Sequence, residues 1–97
     1  MNESAPQKNC VEKKFVIKNK LGLHARPAAL FVQTANHFKC DVDVVKGKEK
    51  VNGKSIMGIM TLAAGAGAAI LVKTSGEDAQ EALDAIANLI ANNFGEA

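Results

Sequence analysis

A histidine and an arginine stand two residues apart in the segment GLHARPA, residues 22–28. The apolar spacing that follows predicts a helix starting at His24, and the N–H groups of its first turn would lack intrahelical partners. The positive helix end disfavours the imidazolium and would stabilise an anion attached to the ring. Arg26 can donate charge-assisted hydrogen bonds to phosphoryl oxygens, and Pro27 stiffens the turn. These residues predict a nucleophilic histidine that accepts a phosphoryl group covalently.

A plainer interpretation is that His24 is an ordinary residue at a helix start beside an unrelated arginine. No acidic residue stands near His24 in the sequence to complete a hydrolase triad, so only an acidic residue distant in the sequence could take that role. One helix end and one arginine would stabilise a phosphoryl group by roughly 1–3 kcal/mol. Such moderate stabilisation suits a group that must be passed on.

Ser55 is the second candidate, because it precedes the short apolar stretch 56–62 and is predicted to cap a helix there. A purely structural capping role and a regulatory phosphorylation are both open at this position. Phosphate is tolerated at a helix start, where it would alter docking rather than unfold the domain. Ile56, Met57 and Met60 are predicted to form an apolar docking patch, whereas Ile59 and Leu62 are expected in the core.

Other signals in the sequence are rejected. The stretch GKEKVNGKS, residues 47–55, imitates a phosphate-binding loop but has five residues between its glycines where the motif needs four. Cys10, His24, His37 and Cys40 lack the spacing of a zinc site, so neither a metal nor a cofactor is expected. His37 is predicted on the surface and Cys40 in the core. Basic residues without interleaved aromatics argue against a nucleic-acid partner.

Charge is unevenly distributed along this chain of 97 residues, whose net charge is only +2. Residues 13–26 carry five bases and no acid, whereas residues 77–97 carry five acids and no base. The basic segment contains His24 and predicts an anionic ligand or an acidic partner surface, although chance scattering is an alternative. A chain this short builds one core but no deep substrate cavity, which argues against a self-contained metabolic enzyme.

The N-terminal residues show no secretory signal, and no apolar run approaches the roughly 20 residues that span a bilayer. Two cysteines do not make a disulfide framework. A cytoplasmic protein that does not contact membranes is therefore expected.

The predicted order of elements is β-α-β-β-α-β-α. Strands are predicted at residues 14–19, 41–46, 48–52 and 69–74, and helices at 24–38, 55–62 and 78–92. These elements indicate an α+β fold, an open two-layer sandwich in which three helices cover one face of a four-stranded antiparallel sheet. Residues 1–12 are predicted to be a flexible leader, and residues 13–97 the domain.

The segment GLHARPA closely resembles the active-site motif of HPr, the histidine-containing phosphocarrier of the bacterial phosphoenolpyruvate-dependent phosphotransferase system. A second family landmark is matched by KSIMG at residues 54–58, and its serine follows the histidine by 31 residues. The order of strands and helices is also similar to that of the family. The leader is longer than usual and the loop 63–67 is poorer in charge, but neither difference touches the site.

The resemblance implies that His24 accepts a phosphoryl group on Nδ1 from enzyme I and passes it to enzyme II A domains for sugar uptake. Arg26 would be its matched partner. Ser55 resembles the serine that HPr kinase phosphorylates, so HPr kinase/phosphorylase and transcriptional regulators are further expected partners. The protein would be a monomeric, stoichiometric carrier rather than an enzyme.

A different class of function stays open, namely a regulatory binding module of a nitrogen-type or carbon-regulatory phosphotransferase branch. Some relatives have lost the histidine and act only as regulators. Because His24 is present, transfer is not excluded for this chain.

Overall fold

The computed structural model describes residues 9–96, which form one four-stranded sheet and three α-helices. The strands are β1 (Cys10–Val16), β2 (Asp41–Lys46), β3 (Glu49–Asn52) and β4 (Ala69–Ser75). The helices are α1 (Ala25–Asn36), α2 (Ile56–Thr61) and α3 (Ala79–Ala91), and a 3-10 turn follows at Asn93–Gly95. The predicted order β-α-β-β-α-β-α is confirmed. None of the helices in this part of the chain is long and apolar enough to cross a membrane.

The sheet has the strand order β1-β4-β2-β3, and every pairing is antiparallel. β4 lies between β1 and β2, as its apolar sequence predicts. Val72 of β4 is paired with Val44 of β2, and both are fully buried. The helices pack on this apolar face, so the predicted open two-layer α+β sandwich is confirmed.

The helices bury the apolar stripes that their sequences predict. All five predicted core positions of α3 are buried, namely Ala79, Ala82, Leu83, Ile86 and Ile90. In α1 the buried residues are Pro27, Ala28, Phe31, Val32 and Ala35. The spacing predicts a core-facing stripe of Pro27, Leu30, Phe31, Thr34, Ala35 and Phe38. Three of these, Leu30, Thr34 and Phe38, are only partly buried, and Ala28 and Val32 are buried instead.

The first strand begins earlier than the sequence indicates. The sequence predicts this strand at residues 14–19, but β1 starts at Cys10, which pairs with Ser75 of β4. Residues 10–12 therefore belong to the sheet, and the predicted leader boundary at residue 12 is wrong. β1 is an edge strand whose register is set by pairing with β4, and a pattern within β1 alone does not encode that pairing. Residues 1–8 lie outside the described part, so the flexible leader stays a prediction for them.

Asp78 ties the start of α3 to the connection between α1 and β2. Its carboxylate accepts hydrogen bonds from the backbone N–H groups of Lys39 and Cys40, both at 2.9 Å. The hydrogen bond from Lys39 is the main cause that lowers the pKa of Asp78, and the bond from Cys40 adds to it. Burial raises the pKa of the Cys40 thiol, which is in the core as predicted. Folding therefore favours an ionised Asp78 and a neutral Cys40.

The Asp78→Asn variant is expected to unfold more easily than the wild type at neutral pH. Because the folded pKa of Asp78 is lowered, the stabilisation is full above the ordinary value of 3.8 and is lost as the pH falls through the folded value. Urea denaturation of both proteins across this range measures the effect. The difference in free energy of unfolding should shrink at acid pH, and a difference that is independent of pH would contradict the assignment.

Candidate functional site

His24 is the N-cap residue of α1 and has an extended backbone, with φ −76° and ψ −170°. Its side chain makes no capping hydrogen bond to the helix, so the ring is free to take other partners. The side chain is 35% exposed, which leaves the imidazole accessible to another protein. The structure therefore places a solvent-accessible imidazole at the positive end of a helix of 12 residues.

The first turn of α1 provides the anion-binding groups. The first helical hydrogen bond runs from the N–H of Ala28 to the carbonyl of His24, at 2.9 Å. The N–H groups of Ala25 and Arg26 precede it and have no acceptor in a preceding turn, while Pro27 has no N–H. Pro27 is fully buried and Arg26 is exposed. Two backbone donors and an exposed guanidinium thus surround the start of the helix, an arrangement that can hold a phosphoryl group.

The turn before His24 is fixed by close backbone packing. Gly22 has φ +67°, and a Cβ built on it would lie 2.4 Å from the carbonyl oxygen of Ala64. The N–H of Leu23 donates to that same carbonyl at 2.8 Å, and Leu23 is buried. The side-chain amide of Asn19 donates to the carbonyl of Gly22 at 2.7 Å. These contacts set the position of His24, and they need glycine at residue 22.

Glu96 completes the site and was not found from the sequence. Its Oε2 and Oε1 lie 2.9 Å and 3.1 Å from Nε2 of His24, and its Oε1 accepts a further hydrogen bond from Asn19 at 3.1 Å. The hydrogen bond with His24 is the main cause that lowers the pKa of Glu96, and Asn19 and the charges of His24 and Arg26 add to it. The acidic composition of residues 77–97 was the only signal, and it did not select Glu96.

A depression of about 430 Å³ lies beside the Glu96 carboxylate and is lined by Lys20, Leu21, Arg26, Gly95 and Glu96. Lys20 and Arg26 are cationic and Glu96 is anionic, so the lining carries a net positive charge close to His24. Leu21 on its rim is 70% exposed. The basic segment predicted from the sequence therefore does supply part of the surroundings of the histidine.

Ser55 caps α2 as predicted. Its Oγ accepts a hydrogen bond from the N–H of Gly58 at 3.0 Å. Met57 is 76% exposed, and Ile56 and Met60 are also exposed, whereas Ile59 is fully buried. The structure thus leaves the three predicted patch residues accessible and places Ile59 in the core. α2 packs against α1, the helix that carries His24.

The rejected zinc set does not come together. Cys10 is exposed at the edge of the sheet beside Ser75, Cys40 is buried, and His37 is the exposed C-cap of α1. Within residues 9–96 no group of three or more histidine, cysteine and acidic side chains could hold a metal ion. The imitation phosphate loop, residues 47–55, is interrupted by β3 between its two glycines, whereas the motif needs one continuous loop between a strand and a helix.

Comparison with known proteins identifies the family. A family profile described as the "PTS HPr component phosphorylation site" matches residues 11–92. The chain belongs to the HPr phosphocarrier family. Phosphocarrier protein HPr of Cupriavidus necator is 51% identical over 80 residues, covering 82% of this chain and 90% of that protein. The HPr-like protein Crh of Halalkalibacterium halodurans is 54% identical over 76 residues, covering 78% of this chain and 90% of its own length.

Solved HPr structures share the fold described above. The crystal structure of HPr-C-His from Thermoanaerobacter tengcongensis has a TM-score of 0.87 at 50% identity and covers 90% of this chain and 98% of its own. A structure of an HPr dimer from the same organism has a TM-score of 0.73 at 47% identity, covering 99% of this chain and 100% of its own. HPr is a phosphocarrier of the phosphotransferase system and not a catalytic enzyme, so this chain is placed among carriers. Because dimers occur among HPr structures, the expected monomer stays a prediction.

Proposed function

We propose that this chain accepts phosphoryl groups from enzyme I on Nδ1 of His24 and passes them to enzyme II A domains. The observation that carries the proposal is an accessible imidazole at the start of α1, beside Arg26 and two backbone N–H groups that have no acceptor within residues 9–96. Membership of the HPr family supports the same role. A docking surface with one exposed nucleophile serves successive protein partners, and it needs no substrate cavity.

The proposed transfer makes and breaks one P–N bond at His24. The lone pair of Nδ1 attacks the phosphorus of the donor, and the bond between phosphorus and the donor breaks with its electron pair leaving on the donor. The N–H groups of Ala25 and Arg26, with the Arg26 guanidinium, would then hold the phosphoryl oxygens. Attack on phosphorus by the next acceptor returns the electron pair to Nδ1. This moderate set of donors suits a group held only briefly.

Two successive incubations test the proposal. Enzyme I and phosphoenolpyruvate should add one phosphoryl group that is acid-labile and base-stable, as a phosphohistidine is, and an enzyme II A domain should then remove it. A wild-type chain that takes up no phosphoryl group would overturn the proposal. A phosphoryl group that stays on the chain and that no enzyme II A domain removes would instead favour the regulatory module.

The Met57→Asp variant is expected to slow transfer to enzyme II A domains by about tenfold, because it places a charge in the apolar docking patch proposed for Ile56, Met57 and Met60. Transfer rates at limiting partner concentration measure the effect. The matched control is Asn88→Asp, which adds the same charge to an exposed position of α3. Equal rates for the two variants would show that the patch is not used.

Regulation through Ser55 is the second candidate function, favoured by the similarity to Crh proteins and by the exposed residues that follow Ser55. HPr kinase/phosphorylase would add phosphate at the start of α2, and the added charge would change which partners, including transcriptional regulators, dock there. Affinity measurements with unmodified, Ser55-phosphorylated and Ser55→Ala protein test this. If no partner distinguishes the phosphorylated form, the switch is not supported.

We also propose that the carrier works in the cytoplasm and as a monomer, since successive partners must each reach His24. Light scattering on the chain at working concentration measures its mass directly. A stable dimer that covers His24 would contradict sequential docking.

A further inference from the structure

We propose that Glu96 is a positioning residue for His24, in that its carboxylate holds a proton on Nε2 both before and after Nδ1 takes up a phosphoryl group. The inference rests on the proposed role of His24 as the acceptor and extends it to the C-terminal segment. It assigns a function to an acidic residue that lies 72 positions away from the histidine in the chain.

The backbone after α3 is built to bring Glu96 to the ring. Asn93, Phe94 and Gly95 have φ values of +53°, +56° and +74°, so three successive residues are in the left-handed region, which glycine and asparagine tolerate but which is unfavourable for Phe94. Phe94 is 3% exposed and anchors this turn in the core. The N–H of Glu96 donates to the carbonyl of Asn93 at 2.9 Å. Unfavourable backbone angles held by a buried anchor indicate that the turn serves a purpose.

Asn19 provides a second, independent observation, because it is built to receive the carboxylate. The residue is 1% exposed, and its Nδ2 donates both to the carbonyl of Gly22 and to Oε1 of Glu96. Rotating the amide by 180° would set its oxygen against two acceptors, so the NH₂ group must face Glu96. Its Oδ1 has no partner among the described residues. A buried amide that leaves its own oxygen unpaired is oriented by what its NH₂ group binds.

The carboxylate contact decides which ring nitrogen carries hydrogen. An ionised carboxylate only accepts hydrogen bonds, so the nitrogen facing it must be Nε2–H. In the neutral ring the lone pair is then on Nδ1, which makes no hydrogen bond within residues 9–96. Glu96 therefore selects the tautomer whose free nitrogen is the one that the proposed function uses.

The same proton assists release. When Nδ1 bonds to phosphorus the ring becomes a cation that keeps its Nε2–H, and the negative charge of Glu96 stabilises it. When the P–N bond breaks, the electron pair returns to Nδ1 and the leaving group is neutral imidazole, again with Nε2–H. No proton is transferred to Glu96 in either direction. A ring that lost the Nε2 proton would have to leave as an imidazolate, which is a much poorer leaving group.

Variants of Glu96 test this with a readout that a merely structural role would not move. The ¹⁵N shifts of His24 report which nitrogen carries hydrogen, and they should show less Nε2–H in Glu96→Ala than in the wild type. In the phosphorylated forms, the Nε2 proton should be lost at a lower pH in Glu96→Gln and Glu96→Ala. Transfer to an enzyme II A domain should fall by roughly fivefold in both variants. Glu81→Gln removes the same charge from an exposed site on α3 and should behave as the wild type.

The outcomes separate this inference from the proposed function. If the wild type is phosphorylated and transfers normally, but Glu96→Ala has the same ¹⁵N shifts and transfer rates as the wild type, the positioning role of Glu96 is wrong. The proposed carrier function is then unaffected. If the wild type takes up no phosphoryl group, the carrier fails, and the ¹⁵N shifts still decide whether Glu96 selects the tautomer. Thermal melts identify any variant that is unfolded. If Glu96→Ala is unfolded, the same measurements are made on Glu96→Gln.

Discussion

Replacing His24 with alanine is expected to reduce phosphoryl uptake from enzyme I to background. The variant keeps α1, because the His24 side chain makes no capping bond and the first helical hydrogen bond uses only its backbone carbonyl. It removes the ring nitrogen that we propose attacks phosphorus, and nothing else in the first turn is a nucleophile. Intact-protein mass spectrometry after incubation with enzyme I and phosphoenolpyruvate measures the result.

The matched control is His37→Ala, which removes the other histidine of the chain from the opposite end of the same helix. His37 is exposed at the C-cap, where no unpaired N–H groups gather, so its loss should leave uptake unchanged. Circular dichroism confirms that both variants are folded. Undiminished uptake in the His24 variant would contradict the site assignment directly.

The Gly22→Ala variant is expected to lose about 3 kcal/mol of stability and much of its phosphoryl uptake. An alanine at φ +67° is strained, and its Cβ would lie 2.4 Å from the carbonyl oxygen of Ala64, so one of the two backbones must move. That movement stretches the hydrogen bond from Leu23 to the same carbonyl and displaces His24. Urea denaturation and the rate of uptake from enzyme I measure the two effects.

The Gly47→Ala variant separates the cost of backbone strain at positive φ from the cost of the clash between Cβ and a neighbouring backbone. Gly47 has φ +60°, but a Cβ there would meet nothing within 4 Å. The free energy of unfolding should therefore fall by only about 1 kcal/mol, and uptake should not change. Equal destabilisation of the two variants would show that the close approach between residues 22 and 64 does not hold the site in place.

The parts of the fold that local chemistry specifies were predicted well. β2 lies at Asp41–Lys46 as predicted, because alternating apolar residues define a half-buried strand without reference to its neighbours. Ser55 caps α2, and the apolar stripe of α3 is buried as its spacing requires. β1 was misplaced because its register depends on β4, some 60 residues further along the chain, and the turn at Asn93–Gly95 was missed.

The candidate site likewise contains residues that the local sequence predicts and residues that only the tertiary structure brings in. His24, Arg26 and Pro27 are neighbours in sequence, so the start of one helix brings them together without help from the rest of the chain. Glu96 reaches the ring, and Asn19 binds Glu96, only because the last turn folds back over the loop before α1. Nothing in the local sequence around either residue indicates that contact. The helix end was therefore predictable, whereas the partner of Nε2 required the tertiary structure.

The most direct test of His24 as a phosphoryl carrier is nuclear magnetic resonance of the chain labelled with ¹⁵N histidine and phosphorylated by enzyme I. We expect one phosphorus resonance coupled to Nδ1 of His24, with hydrogen retained on Nε2, and its disappearance when an enzyme II A domain is added. Phosphorus bound to Nε2 of His24, to His37 or to Ser55 under these conditions would contradict the proposed carrier mechanism.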